Sequence, residues 1–424
     1  MRAVAVGLVV AAALACLPGP ARGAGGTATL PLETRVLAAT RIYHQVNTYF
    51  PGLDRAGFEA AYRDYLRRIL GQEDRREFDL ASMELMATLR DGHTWFDDNW
   101  LEDSFGQPIG FFAFPSGNRW TVRRSQLQSI RVGDVVTAVD GVRMPEFFAS
   151  KRRLISGSSD RDAELSLFLT PILFPIRFTV TLADGRTVRI DRAADKRREE
   201  SPQKTEGRWL EQGRLAYLKV PLFRGIKFAA DAVEYLRQFR DAQALILDLR
   251  GNEGLGSGLH LQAALMDKPY PSWSEHSQLG GGTLMRHNGT HPQHVDLSTA
   301  DAQVNPDALE PPDVHFKGRL ILLIDRECTC ACEDFLMPFK VTHRAQIVGE
   351  TTAGTYSETR HSSFENGMML NVSAVRHVFP DGSRFEGVGI APDVAVETTP
   401  EDLRAGRDAV LAKAIELARG KSRP

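Results

Sequence analysis

The stretch RLILLIDRECTCACEDFLMPFK, from Arg319 to Lys340, contains the transition that sets the fold. Its first part is almost entirely apolar, which is typical of a strand buried in a parallel sheet. Its last part, ACEDFLMPFK, has the pattern of a helix. Three of the chain's four cysteines, at 328, 330 and 332, lie around the junction. The stretch therefore predicts a buried strand that runs through a cysteine-rich turn into a helix.

The same alternation continues on both sides of this stretch. RLAYLKV and ALILDLR precede it as predicted strands, with the helical run FAADAVEYLRQF between them, and AQIVGE follows as a further strand. Alternating strands and helices indicate an α/β layer domain. We therefore expect an α/β core over residues 208–424.

Two other patterns precede that core. Residues 24–100 carry apolar residues three or four apart and predict an N-terminal helical domain, with Gly92 as the helix stop. Residues 101–193 contain short runs rich in Val, Ile, Phe and Thr, separated by turn signals, and predict a small β-rich domain. The charged segment 194–207 is predicted to be a linker.

The N-terminus has the pattern of an export signal. Arg2 precedes an apolar run, and small residues follow in PGPARG. We therefore predict a signal peptide over residues 1–23 and an exported protein, periplasmic or extracellular. The apolar run is short for a membrane span, but a membrane anchor and lipidation at Cys16 are alternatives, and either would associate the protein with a membrane through its N-terminus.

The composition limits the remaining classes of partner. The chain has 424 residues, of which 42% are hydrophobic and 25% charged, and its formal net charge is −2. This balance is typical of a soluble globular protein with two or three domains. Because there is no excess of basic residues, nothing indicates a nucleic acid or an anionic membrane surface as a partner.

The clustered cysteines allow several interpretations. A metal site would need a fourth ligand, and no second pair of Cys or His residues accompanies the C-x-C-x-C run, so we expect neither metal nor cofactor. A Cys328–Cys332 disulfide and a thiol redox role are alternatives, although small buried packing residues are the simplest interpretation of those two. Cys330 differs because it lies at the predicted helix start. There, free N–H groups and the positive helix end favour a thiolate, lower the thiol pKa and can hold an oxyanion.

A second candidate loop follows the predicted strand ALILDLR. The sequence LILDLRGNEGLGSG places glycines at 251, 254, 256 and 258, directly after buried residues. Sites in open α/β sheets form where strands end, and glycines let backbone N–H groups approach a developing negative charge. Alone, such a loop is more often an ordinary turn.

Four blocks together resemble the C-terminal processing peptidases, or tail-specific proteases, and especially their branch around the tricorn core protease. The blocks are LRDGHTW at 89–95, ILDLRGNEGLGSG at 246–258, LIDRECTCACEDF at 323–335, and the late pair IVGETTAGT at 347–355 and FPDGSRFEGVGIAPDVAVE at 379–397. SIRVGDVVTAVDGV similarly resembles part of a PDZ domain. The resemblance implies a ClpP/crotonase-like α/β protease core, an inserted PDZ-like β domain at 101–193 and an N-terminal helical segment.

The resemblance also implies a catalytic constellation of Cys330, His93 and Glu386. Cys330 stands where the family has a serine nucleophile, and His93 matches the histidine base of the tricorn-like branch. Glu386 matches the late glutamate that orients the base, directly or through a relay. One branch of the family uses a lysine base instead, and Thr355 occupies that position here.

Two further groups of residues are assigned by the same resemblance. The backbone amides of Gly254 and Ala331 are expected to hold the oxyanion, although Leu255 replaces the second glycine of the usual motif. PIGFFAF, at 108–114, stands in the place of the carboxylate-binding loop of the PDZ domain. We therefore expect Gly110 and Phe111 to bind the substrate's C-terminus as an added strand.

The sequence thus predicts an exported endopeptidase that hydrolyses unstructured proteins or peptides through a thioester. The alternative is a catalytically impaired pseudoprotease that binds peptides with its PDZ-like domain. Cys330 and Leu255 stand where the family has serine and glycine, and these two replacements favour the pseudoprotease. The presence of His93 and Glu386 favours the enzyme. A nucleophile replaced deliberately to trap substrate would give the same sequence.

Overall fold

The computed structural model of the chain describes residues 28–198, 202–225, 227–271, 273–278, 294–295, 313–364 and 366–420. The predicted signal peptide and Cys16 lie outside the described residues. Within these ranges, no helix combines the length and apolarity that crossing a membrane would require.

Three helices and a short strand form the N-terminal part. They are α1 (Leu32–Tyr49), α2 (Arg55–Leu70), α3 (Arg75–Ala87) and β1 (Trp95–Asp98). Their apolar faces pack around Ile42, Ile69 and Phe78, which are fully buried. Strand β1 pairs antiparallel with residues 368–371, so this segment shares a sheet with the late part of the chain.

The end of α3 differs from the prediction. The helix ends at Ala87, and Arg90 then adopts a left-handed backbone with φ 55°. The predicted stop at Gly92 is therefore wrong, because the chain leaves the helix one turn earlier. His93 still lies on the exit loop, as expected.

A strand-rich insert follows, as the sequence predicts. Its elements are α4 (Asn99–Phe105), β2 (Phe111–Ser116), β3 (Arg119–Ser125), β4 (Val135–Val139), β5 (Val142–Arg143), α5 (Met144–Lys151), α6 (Asp160–Leu167), β6 (Arg177–Leu182) and β7 (Thr187–Asp191). The strands are ordered β2-β3-β4-β6-β7, and β5 pairs with β4. Strand β2 is therefore at one edge of the sheet, and α6 packs next to it.

The last part of the chain is built on a six-stranded mixed sheet. Its elements are β8 (Glu206–Glu211), β9 (Leu215–Lys219), α7 (Lys227–Phe239), β10 (Ala244–Asp248), α8 (Leu259–Leu265), β11 (Tyr270–Pro271), β12 (Ser274–His276), β13 (His294–Val295), β14 (Arg319–Ile324), α9 (Ala331–Thr342), β15 (Gln346–Gly349), β16 (Thr359–Ser363), β17 (Met368–Ser373), β18 (Arg376–Val378), β19 (Val394–Ala395), α10 (Pro400–Ala405) and α11 (Ala409–Arg419). The order β19-β15-β14-β10-β9-β8 is parallel except for β8. The predicted α/β class is confirmed.

Two details of this part differ from the sequence patterns. Strand β8 begins at Glu206, inside the predicted linker. The run TPEDLRAGRDAVLAKAIELA predicts one closing helix with Thr399 as its N-cap, but the segment is divided at Gly406, whose φ of 63° ends α10. Thr399 caps α10 as predicted, in a reciprocal capping box with Asp402.

The parallel arrangement positions the candidate site. Strands β10, β14 and β15 are neighbours that run in the same direction, so the loops at their carboxyl ends leave the sheet at one edge. These loops are the glycine-rich segment, the cysteine turn and the turn that leads to Thr355.

Candidate active site

Cys330 is the residue immediately before helix α9. Its backbone has φ 54° and ψ −121°, a left-handed conformation that is strained for a residue other than glycine. The Cys330 amide donates to Thr355 O at 2.9 Å, and the Cys330 carbonyl accepts from Glu333 N at 2.9 Å. These bonds hold the turn, and the side chain is partly exposed at the start of the helix.

Backbone hydrogen bonds tie the three loops together around this turn. Asn252 O accepts from Thr329 N at 3.2 Å, which joins the glycine-rich loop to the cysteine turn. Cys328 O accepts from Ala353 N at 3.1 Å, which joins the cysteine turn to the loop after β15. The site is therefore assembled from three separate strand ends.

Two backbone amides face the sulfur of Cys330. They belong to Ala331 and Leu255, and both lower the pKa of the thiol. The Gly254 amide instead donates to Asn252 Oδ1 at 2.8 Å. The Ala331 amide thus faces the sulfur, whereas the Gly254 amide bonds within its own loop and the Leu255 amide faces the sulfur instead.

The loop conformation explains why Gly254 is a glycine. Its φ is 79°, and a Cβ there would lie 2.6 Å from Ala331 N. The left-handed turn continues into Leu255, whose φ is 66°. A non-glycine residue in this region stores strain of about 1–2 kcal/mol, and here the strain directs an amide toward the nucleophile position.

The thiol pKa differs from the sequence-based expectation. Burial raises the pKa of Cys330 to about 12, against the lowering effect of the two amides, and the acidic side chains of Glu333 and Asp334 raise it further. The expectation of a lowered pKa at the helix start is therefore wrong, because loss of solvent outweighs the helix end. At neutral pH Cys330 is a neutral thiol.

His93 is held beside this turn by contacts on three sides. Its Nδ1 lies 2.9 Å from Thr355 Oγ1. Its amide donates to Asp91 Oδ1 at 3.0 Å, and its carbonyl accepts from Asn371 Nδ2 at 2.8 Å. Burial lowers the pKa of His93, although nearby Asp91 raises it. The imidazole is therefore kept neutral, as a general base requires.

Thr355 connects His93 to Cys330. Its carbonyl holds the Cys330 amide, and its hydroxyl contacts the His93 ring. Within the described part of the chain, no direct hydrogen bond joins the imidazole to the Cys330 sulfur. Catalytic hydrogen bonds are often formed only once substrate is bound, so this geometry is compatible with a Cys–His pair.

Glu386 reaches the His93 loop through another side chain. Its carboxylate accepts a hydrogen bond from the Ser158 hydroxyl, and Ser158 Oγ accepts from Gly92 N at 2.9 Å. Burial, together with the negative charge of Asp91, raises the pKa of Glu386 well above its usual range. Glu386 is therefore connected to the His93 loop indirectly, through the Ser158 hydroxyl and the Gly92 amide.

Glu333 supports the turn that carries Thr355. The side chain is fully buried, and its carboxylate accepts from Gly354 N at 2.7 Å and from Thr355 N at 2.9 Å. Thr352 donates its hydroxyl to the same carboxylate. Burial raises the pKa of Glu333 to about 8. These contacts show that Glu333 stabilises the turn that carries Thr355.

Residues 214–396 match the model of peptidase family S41. We refer to residues 214–396 as the S41 segment. A putative tricorn protease homolog 2 from Streptomyces coelicolor is 26% identical over 392 residues, which are 88% of this chain and 30% of that protein. The chain thus spans about a third or less of that relative's length.

Solved structures share the fold of the whole described chain. A CPAF mutant matches with a TM-score of 0.67 and 15% identity, over 93% of this chain and 99% of that chain. The photosystem II D1 C-terminal processing protease matches with a TM-score of 0.55 and 16% identity, over 93% and 99% of the two chains. At these identities the likeness shows the fold alone.

The S41 segment contains only part of the candidate site. Cys330, Glu386 and both amides that face the sulfur lie within residues 214–396. His93 comes from the N-terminal part, and Ser158 comes from the insert. The arrangement therefore depends on how the three parts of the chain pack together.

Cys328 and Cys332 lie inside the core of the S41 segment. Both side chains are fully buried, and Cys328 Sγ contacts Leu249 O at 3.1 Å. The two thiols contact each other, and burial raises the pKa of both. They are free cysteines in the structure. No group of three or more potential metal ligands occurs among the described residues.

Gly110 and Phe111 lie where β2 begins, at the edge of the insert sheet. Gly110 has φ 90°, and the Phe111 ring packs on Phe168 with centroids 5.1 Å apart. Farther along the same edge, the Arg326 guanidinium donates to Pro115 O at 2.8 Å. The edge is therefore partly engaged by a residue from the turn that precedes Cys330.

Sequence reasoning missed several residues that shape the site. Thr355 was noted only as a replacement for a lysine, and Leu255 only as a departure from a glycine motif. Ser158 carried no signal, because a serine in a loop has no distinctive pattern. Asp91 lies within the LRDGHTW block, two residues before His93, so the RDGHT run could have pointed to it.

Proposed function

We propose that this chain is a peptidase in which Cys330 is the nucleophile and His93 the general base. The observation that carries the proposal is the surroundings of Cys330. Its sulfur sits at a strained helix start, faces the amides of Leu255 and Ala331, and is joined through Thr355 to a neutral imidazole. The match of residues 214–396 to the model of peptidase family S41 supports peptide-bond hydrolysis as the reaction.

The neutral thiol determines how the first step runs. Because the pKa of Cys330 is about 12, sulfur attacks the peptide carbonyl while His93 takes the thiol proton. The carbonyl oxygen gains negative charge, and the amides of Leu255 and Ala331 donate to it. One such donor contributes about 2.7–4 kcal/mol in a measured case.

The second half of the reaction reverses the roles. His93 returns the proton to the amine as the peptide C–N bond breaks, which leaves an acyl group on Cys330 as a thioester. Water then attacks the thioester, His93 accepts the water proton, and the acid product leaves with the thiol restored. Thr355 Oγ1 fixes the ring by its contact with Nδ1, so Nε2 is the nitrogen available to Cys330.

The substrate and the location of the protein are further parts of the proposal. We assign unstructured protein or peptide C-termini as substrates, bound beside Gly110 and Phe111 at the start of the edge strand β2. The insert would then act as a PDZ-like domain. The predicted signal peptide at residues 1–23 supports export to the periplasm or the extracellular space.

Peptide cleavage by active-site variants tests this function. The mature protein is incubated with unstructured peptides that carry free or amidated C-termini, and products are identified by mass spectrometry. We expect cleavage by the wild type, loss of cleavage in Cys330→Ala and His93→Ala, and weaker binding of amidated peptides. Cleavage that survives Cys330→Ala would refute the assigned nucleophile, and binding without any cleavage would identify a pseudoprotease.

A further inference from the structure

The insert contributes a side chain to the linkage between Glu386 and the His93 loop. Ser158 Oγ donates to the Glu386 carboxylate and accepts from Gly92 N at 2.9 Å. We propose that Ser158 is a positioning residue for His93, so that the base is set correctly only when the insert is docked on the S41 segment. This proposal rests on the proposed peptidase function.

Ser158 is fixed in position by its own surroundings. It is 6% exposed, and its amide donates to Asp162 Oδ2 at 2.8 Å. A Cβ on Gly387, the residue after Glu386, would lie 2.5 Å from Ser158 O. The backbones of the insert and the Glu386 loop thus approach closely, and a shift of either would move the hydroxyl relative to the carboxylate.

One hydroxyl satisfies two partly buried partners here. A serine has one O–H donor and acceptor lone pairs, so Ser158 can donate to Glu386 while it accepts from Gly92 N. Without the hydroxyl, the Gly92 amide beside His93 loses the Ser158 acceptor, and Glu386 loses the Ser158 donor. A buried polar group left without a hydrogen-bond partner costs free energy, so we expect the native position of Ser158 to be favoured.

The charges around the linkage make its hydroxyl more important. Glu386 is surrounded by the carboxyl groups of Asp91, Asp162 and Glu333, and these raise its pKa together with burial. Burial likewise raises the pKa of Asp162 to about 6. In this cluster of acidic side chains, the neutral Ser158 hydroxyl joins Glu386 to the His93 loop by hydrogen bonds without adding another negative charge.

The three linked residues come from three parts of the chain. Gly92 belongs to the N-terminal part, Ser158 to the insert and Glu386 to the S41 segment. Arg161, three residues after Ser158, donates to Thr352 O and Val388 O and so docks the same edge of the insert. Any displacement of the insert would therefore break the linkage at Ser158.

Ser158→Ala tests the proposal, with Ser166→Ala as a matched control. Ser166 lies on α6, the helix that begins two residues after Ser158, and its hydroxyl donates to Asp162 O within that helix. We expect Ser158→Ala to lower kcat roughly 10- to 100-fold with KM changed less than about threefold, because the loss acts on the base. Ser166→Ala should keep kcat, and Ser158→Thr, which keeps a hydroxyl, should recover much of it.

A spectroscopic readout separates this proposal from the proposed function. The histidine side chains are labelled with ¹³C, and the His93 signal is assigned by its disappearance in His93→Ala. Ser158→Ala should shift the titration midpoint of His93, whereas Ser166→Ala should leave it in place. An unchanged His93 titration, or an equal loss of kcat in both serine variants, would overturn the positioning role. If the wild type cleaves no peptide but the His93 shift is seen, only the peptidase function fails.

Discussion

The protonation state of the Cys330 thiol gives a chemical test of the site. Burial raises its pKa to about 12 from an ordinary value of 9.0. At pH 7 this difference lowers the thiolate fraction roughly 1000-fold. The more basic thiolate is also the better nucleophile, which restores roughly 15- to 30-fold of the rate. We therefore expect Cys330 to be alkylated roughly 30- to 60-fold more slowly than the same thiol in the unfolded chain.

The assay measures carbamidomethylation by iodoacetamide from about pH 6 to pH 10. The rate is followed on the tryptic peptide from Glu327 to Lys340, and the urea-unfolded chain supplies the reference. Because the pKa lies above the range, the folded-state rate should keep rising to the highest pH without a plateau. His93→Ala should change the profile little, since a neutral thiol needs no imidazolium partner.

A different profile would refute the reasoning. A plateau below about pH 8, or a neutral-pH rate that equals the unfolded rate, would mean that the helix end and the two amides outweigh burial. Restricted access to Cys330 could slow the reaction, but it would not move the pH at which the rate levels off. The shape of the curve is therefore the decisive quantity.

Three further predictions concern residues around the site and the core. Thr355→Val removes the hydroxyl on His93 Nδ1 and should lower kcat roughly tenfold, measured by peptide turnover; an unchanged kcat would contradict its role. Leu255→Gly keeps the amide and relieves the left-handed strain, so cleavage should persist, and its loss would show that the side chain itself is needed. Arg75→Met leaves buried Asp98 without its charged partner and should cost about 3–5 kcal/mol in urea unfolding, whereas a neutral change would contradict that pairing.

The elements that the sequence predicts well are those with a strong local pattern. Strands β10 and β14 are buried along nearly their whole length, so their apolar runs identified them. Cys330 could be placed at a helix start because a strand pattern changes to a helix pattern beside it. Helix ends were less predictable, since α3 ends at Ala87, before the left-handed Arg90, and α10 ends at the left-handed Gly406, and no periodicity encodes these conformations.

The parts of the site that escaped prediction depend on contacts between distant segments. Ser158 meets Glu386 across 228 positions of sequence, and His93 meets Thr355 across 262. The helix-end argument for a low thiol pKa considered only the local backbone of Cys330. That argument is wrong because residues distant in sequence bury the thiol, and this burial raises its pKa.

Trapping the acyl group on Cys330 tests the central claim most directly. A peptide substrate is mixed with the wild type, the reaction is quenched in acid during turnover, and the tryptic peptide from Glu327 to Lys340 is analysed by mass spectrometry. We predict an added mass equal to the N-terminal acid product less one water, located on Cys330, released by neutral hydroxylamine and lacking in His93→Ala. Peptide cleavage without any adduct, or with the adduct on another residue, would contradict the account.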